Sequence, residues 1–313
     1  RIAAKAPAAE EKPVIRPAAS PAVRPQAETV RGQQAKTVHR PQTGAMHRPQ
    51  AETVRGQQDM ATSPAPAGKR PGPEGTNPSP YAFGTIPENT SLRVRGHAKG
   101  NHAVRWVKKS RSYVEMASMY GLMRITPVAP DIIRVSFVKG VTEKIAATGW
   151  MAKAEEAFSW SARESKSVVE IAAGEITVRV DKRSGAVSFW NRENQLLLAE
   201  NAAEPRVIGE EGSWVFFDWD KKERIKAKGM LDTDFLDVTL NARYISFGGK
   251  KHRMPLVLSN RGYGIAAAAK NTVLLCDIKT YGQYLYAEGE RQLDYYFICG
   301  EKPENVITRY KGL

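Results

Sequence analysis

Cysteine is scarce in this sequence, with two residues, Cys276 and Cys299, in 313. Both sit in apolar, strand-like runs, LLCDI and YFICG. That setting reads as two buried thiols rather than a disulfide, and it favours a reducing compartment such as the cytoplasm. Neither Cys-x-x-Cys nor His-x-x-x-His spacing occurs, so no metal site and no cofactor is expected. Long apolar runs are missing too. None approaches eighteen residues, so no membrane-spanning helix and no membrane partner is expected. No charged segment followed by an apolar one opens the chain, and residue 1 is Arg rather than Met, so the natural N-terminus is expected further upstream. Aromatic residues are almost absent from residues 1–80, where most of the prolines lie, and all six tryptophans come later. A packed core therefore has to be built after about residue 81.

Positive charge is abundant. Lys and Arg number 47 against 33 Asp and Glu, a formal net charge of +14. Nucleic-acid binding would need a basic stripe with interleaved aromatics. Residues 99–111 (KGNHAVRWVKKSR) are the candidate, and a solvated strand or linker explains them as well. A nucleic-acid partner is not expected from net charge alone, which speaks to solubility and non-specific association. A nucleic-acid-binding tail over residues 1–110 is the weaker alternative.

Residues 1–80 are of low complexity. RPQAETVRGQQ occurs at 24–34 and again at 48–58, with a partial copy, HRPQTGAM, from 39. Each unit offers only Val and Ala as apolar material, too little to stack as a solenoid or to offset the entropy of ordering. The segment reads as a disordered tail, either a tether or a spurious extension of the reading frame. Residues 81–118 read as a linker or short edge strands.

From residue 119 to 300 the pattern is β. Residues 122–127 (LMRITP) and 132–138 (IIRVSFV) alternate apolar and polar, which puts one side of each strand on a core. Apolar strand patterns follow at 168–172, 176–180, 186–190 and 196–198. DKRSG at 181–185 reads as a hairpin loop with Gly185 at a positive φ, and NREN at 191–194 as the next turn. Strands eight to twelve residues apart, joined by turn chemistry, predict a mainly β, antiparallel sandwich. Helical periodicity is weak everywhere except at 303–310 (PENVITRY), where Pro303 suits a first turn.

Several segments carry a resemblance. Ile132, Arg134 and Val135 follow a proline turn, and Val178, Lys182, Gly185 and Phe189 are spaced along one hairpin. More specific are MPLVLSNRGYGI at 254–265 and LDYYFICGEKPENVITRYKGL at 293–313. Together they resemble the β-sandwich that precedes the catalytic barrel in glycoside hydrolase family 31, which holds α-glucosidases and α-xylosidases. The resemblance runs from about Tyr120 to Leu313. It implies a galactose-mutarotase-like supersandwich, with residues 301–313 starting the link to a C-terminal barrel in cis. It also implies retaining hydrolysis of terminal α-linked sugars by the whole enzyme, with carbohydrate as partner.

The family's nucleophile motif, Trp-x-Asp-Met, is not in this sequence, nor is its second aspartate, so no catalytic residue is assigned here. Asp218 and Asp220 in FDWD would share a strand face. A retaining pair stands about 5 Å apart across the sugar, but DWDKKER has the character of a solvated hairpin end. For sugar contact the resemblance points to 241–249 (NARYISFGG), where Arg243 would hydrogen-bond and Tyr244 would stack. An ordinary strand with Tyr244 or Phe247 in the core is the plainer alternative. Asp232 and Asp234 read as loop caps, His252 as part of an exposed basic turn, and Trp190, Trp214 and Trp219 as core or interface. A self-standing carbohydrate-binding or aldose-epimerase-like sandwich is the other functional reading. An epimerase would need a His and a Glu facing the sugar, and after Tyr120 the chain offers only His252.

Overall fold

The computed structural model describes residues 83–94, 99–147, 158–228, 234–246 and 254–313. The expected tail over residues 1–80 lies outside them. Among the described residues nineteen strands and one helix follow in chain order. The first four are β1 (Trp106–Lys109), β2 (Val114–Ala117), β3 (Gly121–Ala129) and β4 (Ile132–Lys139). Next come β5 (Ser161–Glu164), β6 (Val168–Ala173), β7 (Ile176–Asp181), β8 (Val187–Trp190) and β9 (Leu196–Ala199). Then follow β10 (Arg206–Ile208), β11 (Gly212–Phe216), β12 (Ile225–Lys228), β13 (Leu236–Asp237) and β14 (Ala242–Tyr244). The chain closes with β15 (Leu256–Ser259), β16 (Tyr263–Ala267), β17 (Val273–Ile278), β18 (Gly282–Glu288), β19 (Gln292–Cys299) and α1 (Pro303–Gly312).

These strands form three sheets. The largest has nine strands in the order β1-β2-β3-β4-β19-β16-β15-β12-β13. A second is the simple meander β5 to β9, and a third runs β10-β11-β18-β17-β14. Paired strands run antiparallel throughout, so every ladder can be closed by local turns or by long returns without parallel crossovers. The decisive long return is β19, which pairs with β4 from Gln292↔Val138 to Ile298↔Ile132.

Period-two alternation sorts the side chains of the large sheet. Its inner face supplies Ile125, Ile133, Val135, Phe137, Ile265, Tyr295 and Phe297 to a single core shared with both smaller sheets. Phe189 of β8 lies flat on Phe297 of β19, with ring centroids 4.0 Å apart, and so fastens the meander to the large sheet. The outer face carries a second cluster, where Leu256, Leu258, Ala266, Tyr296 and Ile298 meet Val306 and Tyr310 of α1.

Local chemistry explains the turns. Asp181 Oδ1 accepts from the Ser184 backbone N–H at 2.7 Å and from the Ser184 hydroxyl at 2.8 Å, while Gly185 takes φ +69°. Both cysteines are free and buried. Burial pushes the Cys276 thiol up to about 11, which leaves it protonated and inert near neutrality.

Candidate functional site

The segment 254–265 forms the β15–turn–β16 hairpin, and its small residues make a seat for α1. Gly262 has φ +80°, and a Cβ there would lie 2.3 Å from the Glu301 carbonyl oxygen. Gly264 has ordinary backbone angles, but a Cβ on it would lie 2.6 Å from Val306 Cγ1 of the helix. Tyr263, between them, is buried and stacks on Phe297 at 5.3 Å. Its hydroxyl donates to Glu223, which also accepts from Ser259 Oγ at 2.5 Å and from the Asp220 backbone N–H at 3.1 Å. Burial, with the Glu223 carboxylate beside it, holds the Tyr263 phenol well above its ordinary range. At its other end α1 is fixed by Tyr310, whose hydroxyl donates to the Met254 carbonyl, and by Arg309, which pairs with Asp131.

Glu223 is the residue that sequence reasoning passed over. It lies in the charged stretch DWDKKER and carries no local mark of burial, yet it is 4% exposed. Its aspartate neighbours behave as a turn does. Asp218 accepts from Asn201 Nδ2 at 2.8 Å, and Asp220 accepts from the Lys222 backbone N–H at 2.8 Å.

Of the two residues proposed for sugar contact, Tyr244 is buried in a cluster with Leu92, Trp214, Leu274 and Tyr284. This is the core placement, and it leaves no ring face for a sugar. Its backbone is held by residues outside the named strands, through Gly84 N–H to Tyr244 O at 2.8 Å and Tyr244 N–H to Thr85 O at 3.0 Å. Arg243 is half-buried, and its Nη1 donates to the Ala242 carbonyl at 2.8 Å. Phe247, Asp232 and His252 lie outside the described residues. Asp234 is exposed. Trp214 and Trp219 are buried, and Trp190 is half-buried beneath the Arg179 guanidinium at 4.6 Å.

A second buried carboxylate ties the sheets together. Glu200 Oε2 accepts from Arg206 Nη1 at 2.5 Å and from the Val187 backbone N–H at 2.8 Å, and Glu200 Oε1 accepts from the Tyr295 hydroxyl at 2.8 Å. Burial raises the Glu200 carboxyl, against the pull of Arg206 and the two other donors. Near Arg206 lies His102, 6% exposed, with its ring edge-on to Tyr120 at 4.6 Å. Among the described residues neither ring nitrogen makes a hydrogen bond of good geometry, and the approach of the Arg206 backbone only partly opposes the lowering of the imidazole. Burial, then the Arg206 charge, lowers the imidazole from 6.5 to about 3, so it is neutral at physiological pH.

Where several hairpin turns gather at one end of the sandwich, a cleft of about 1090 Å³ opens. Its cations are Lys99, Lys139, Lys144 and Arg291, and its carboxylates are Glu143, Glu210 and Glu211. Tyr120 and Trp214 contribute aromatic surface. The Tyr120 hydroxyl accepts from the Ile208 N–H at 3.0 Å and donates to the Ile208 carbonyl at 3.3 Å. That pair of bonds joins the β2–β3 turn to β10, locking two walls of the cleft together.

No family model matches the chain, and no curated protein matches it. Solved structures do resemble it. A family 31 dextranase of Flavobacterium johnsoniae, complexed with isomaltotriose, superposes with a TM-score of 0.58 at 13% identity, over 66% of this chain and 27% of the dextranase. A family 31 α-xylosidase from a soil metagenome, complexed with xylose, gives 0.55 at 18% identity, over 66% and 34%. The cycloalternan-forming enzyme of Listeria monocytogenes, in complex with a pentasaccharide substrate, gives 0.53 at 14% identity, over 67% and 22%. The chain thus spans about a third or less of the length of these enzymes. Its antiparallel sandwich has the fold that glycoside hydrolases of family 31 carry over that part of their length.

Proposed function

We propose that this chain is the N-terminal, non-catalytic β domain of a retaining α-glycosidase that acts on terminal α-linked sugars. The observation that carries the reading is the match in fold. It extends over two thirds of this chain but over only 27% and 34% of the dextranase and the α-xylosidase. In this reading the two catalytic aspartates belong to a barrel that follows Leu313 in cis. The aspartates of DWDKKER are engaged in turn hydrogen bonds instead. The β domain buttresses the barrel. The tightly seated α1, held by Gly264, Tyr310 and Arg309, delivers the chain to it in a fixed direction.

Contribution to the sugar site falls to the β14 region. Arg243 would donate to a sugar hydroxyl. Tyr244, packed on the opposite face of the strand, would hold it in place rather than stack on the ring.

The test compares this chain with a polypeptide extended beyond Leu313. Nitrophenyl α-glucoside and α-xyloside serve as substrates. The extended polypeptide is expected to release nitrophenol, and substituting the aspartate of a Trp-x-Asp-Met motif beyond Leu313 is expected to abolish the release. This chain alone is expected to release none. Turnover by this chain alone, or an extension that lacks the motif and is inactive, overturns the assignment.

A further inference from the structure

We infer that the edge strand β1 is a docking site for an extended acidic segment of another protein, which pairs with it as an added strand. The inference stands independently of the glycosidase reading above.

β1 is the terminal strand of the nine-stranded sheet, and β5 is the terminal strand of the meander. The two edges lie side by side along one rim of the sandwich. At one end Val104 N–H donates to the Lys182 carbonyl at 2.8 Å, and at the other Lys109 Nζ lies 5.5 Å from the centre of the Trp160 ring. Between these points Val107, Trp160 and Ala162 pack against the core. Among the described residues β1 pairs with β2 alone, so the opposite row of its backbone N–H and C=O groups has no strand partner.

The rim carries one sign of charge. Arg105, Lys108, Lys109 and Arg111 stand exposed on and beside β1, as do Arg163 and Lys166 on and beside β5. Among the described residues none of these six forms an ion pair. The neighbouring acids are already engaged. Glu115 pairs with Arg124 at 2.6 Å, Glu164 pairs with Lys182 at 2.6 Å, and Asp181 accepts hydrogen bonds within its own turn. Uncompensated cations along an open edge repel a basic strand, including the same rim of a second copy, and attract an acidic one.

Lysines on an edge strand can serve simply to prevent pairing. Trp106 does not belong to such a guard, because it places a large ring, 45% exposed, inside the cationic run. Alternation puts Trp106 on one face of β1 and Arg105 and Lys109 on the other. A strand that alternates apolar and acidic residues meets both faces, while its backbone supplies the missing ladder. Single-stranded nucleic acid fits this rim less well. It binds on successive aromatic platforms, but Trp160 already lies under Lys109, and Tyr113 lies under the Arg124 guanidinium at 4.3 Å. Trp106 is then the one aromatic platform of the three without a cation over it.

The experiment titrates the full chain with a short capped peptide of alternating Glu and Val, read by amide and indole NMR shifts. Saturable binding is expected, with shifts across residues 104–110 and at the Trp106 indole, and with affinity that falls as salt is raised. The same peptide N-methylated along its backbone keeps its charge and loses its donors, and it is expected to bind about tenfold more weakly or worse. Trp106→Thr and Lys109→Glu, both at exposed positions, are each expected to weaken binding about fivefold or more with an unchanged melting temperature. The inference is overturned by the absence of shifts up to about 1 mM peptide. It is also overturned by equal binding of the N-methylated peptide, which would mean charge attraction without strand pairing. Shifts that map outside the rim, binding that neither substitution weakens, or shifts produced by an oligouridylate and not by the peptide overturn it as well.

Discussion

His102 makes acid stability a sharp test of the buried interior. Its folded pKa of about 3 lies below the 6.5 of the free side chain. Protons therefore bind the unfolded chain first. The stability that neutral His102 contributes is complete above pH 6.5 and falls steadily as pH drops toward 3. At pH 5 the unfolded imidazole is almost fully charged while the folded one is not, which removes about 2 kcal/mol relative to pH 8. That is a sizeable share of the roughly 5–15 kcal/mol that typically holds a domain together. The groups facing the ring are Tyr120, Phe137 and the Arg206 guanidinium, none of which changes charge between pH 5 and 8. Asp181 and Asp237 have carboxyls held below 3.8, so their loss of stability comes at lower pH. Urea denaturation at pH 8, 6.5 and 5 measures the effect. His102→Phe keeps an aromatic ring against Tyr120 and Phe137 and removes the buried titratable group. It should therefore flatten the profile by about 2 kcal/mol between pH 8 and 5. Parallel profiles for the native chain and His102→Phe would refute a buried, neutral imidazole.

Other perturbations have separate expected outcomes. Glu200→Ala leaves Arg206, which is 1% exposed, without its partner and should cost about 3–5 kcal/mol, with strong coupling to Arg206→Ala in a double-mutant cycle. Gly264→Ala drives a methyl against Val306 and should cost about 1–3 kcal/mol by thermal denaturation, while Val306→Ala in the same chain should recover part of it. Leu240 has φ +57° with its side chain 69% exposed, so Leu240→Asn should gain about 0.5–1 kcal/mol and raise the melting temperature. A melting temperature lowered by Leu240→Asn would show that the leucine side chain makes a stabilising contact.

The strand pattern was legible because burial on one side of a sheet writes a period of two into the residues. Val169, Ile171 and Ala173 fall on the buried face of β6, Ile176, Val178 and Val180 on that of β7, and Val187 and Phe189 on that of β8. The turn at Asp181 was legible because its hydrogen bonds lie within three residues. The helix from Pro303 announced itself by a proline at its first turn. At 254–265, MPLVLSNRGYGI marked a tight hairpin, but nothing in those residues named Glu223, which lies 40 positions before Tyr263. Tyr244 shows the opposite limit. A Tyr beside an Arg on a short strand suits a sugar and a core equally, and only the packing of Leu92 and Trp214 around it decides.

The amino-acid order by itself determined a β-rich chain of antiparallel hairpins after an apolar-poor segment, with a closing helix. Those properties follow from contacts made within a dozen residues. Tertiary structure alone decided that β19 returns to β4, that Glu200 and Arg206 are buried together beneath the sheets, and that the turns around Tyr120 enclose a cleft. Each of these joins residues far apart in the chain, and free energy gained by desolvation across such distances leaves no periodic trace in the sequence.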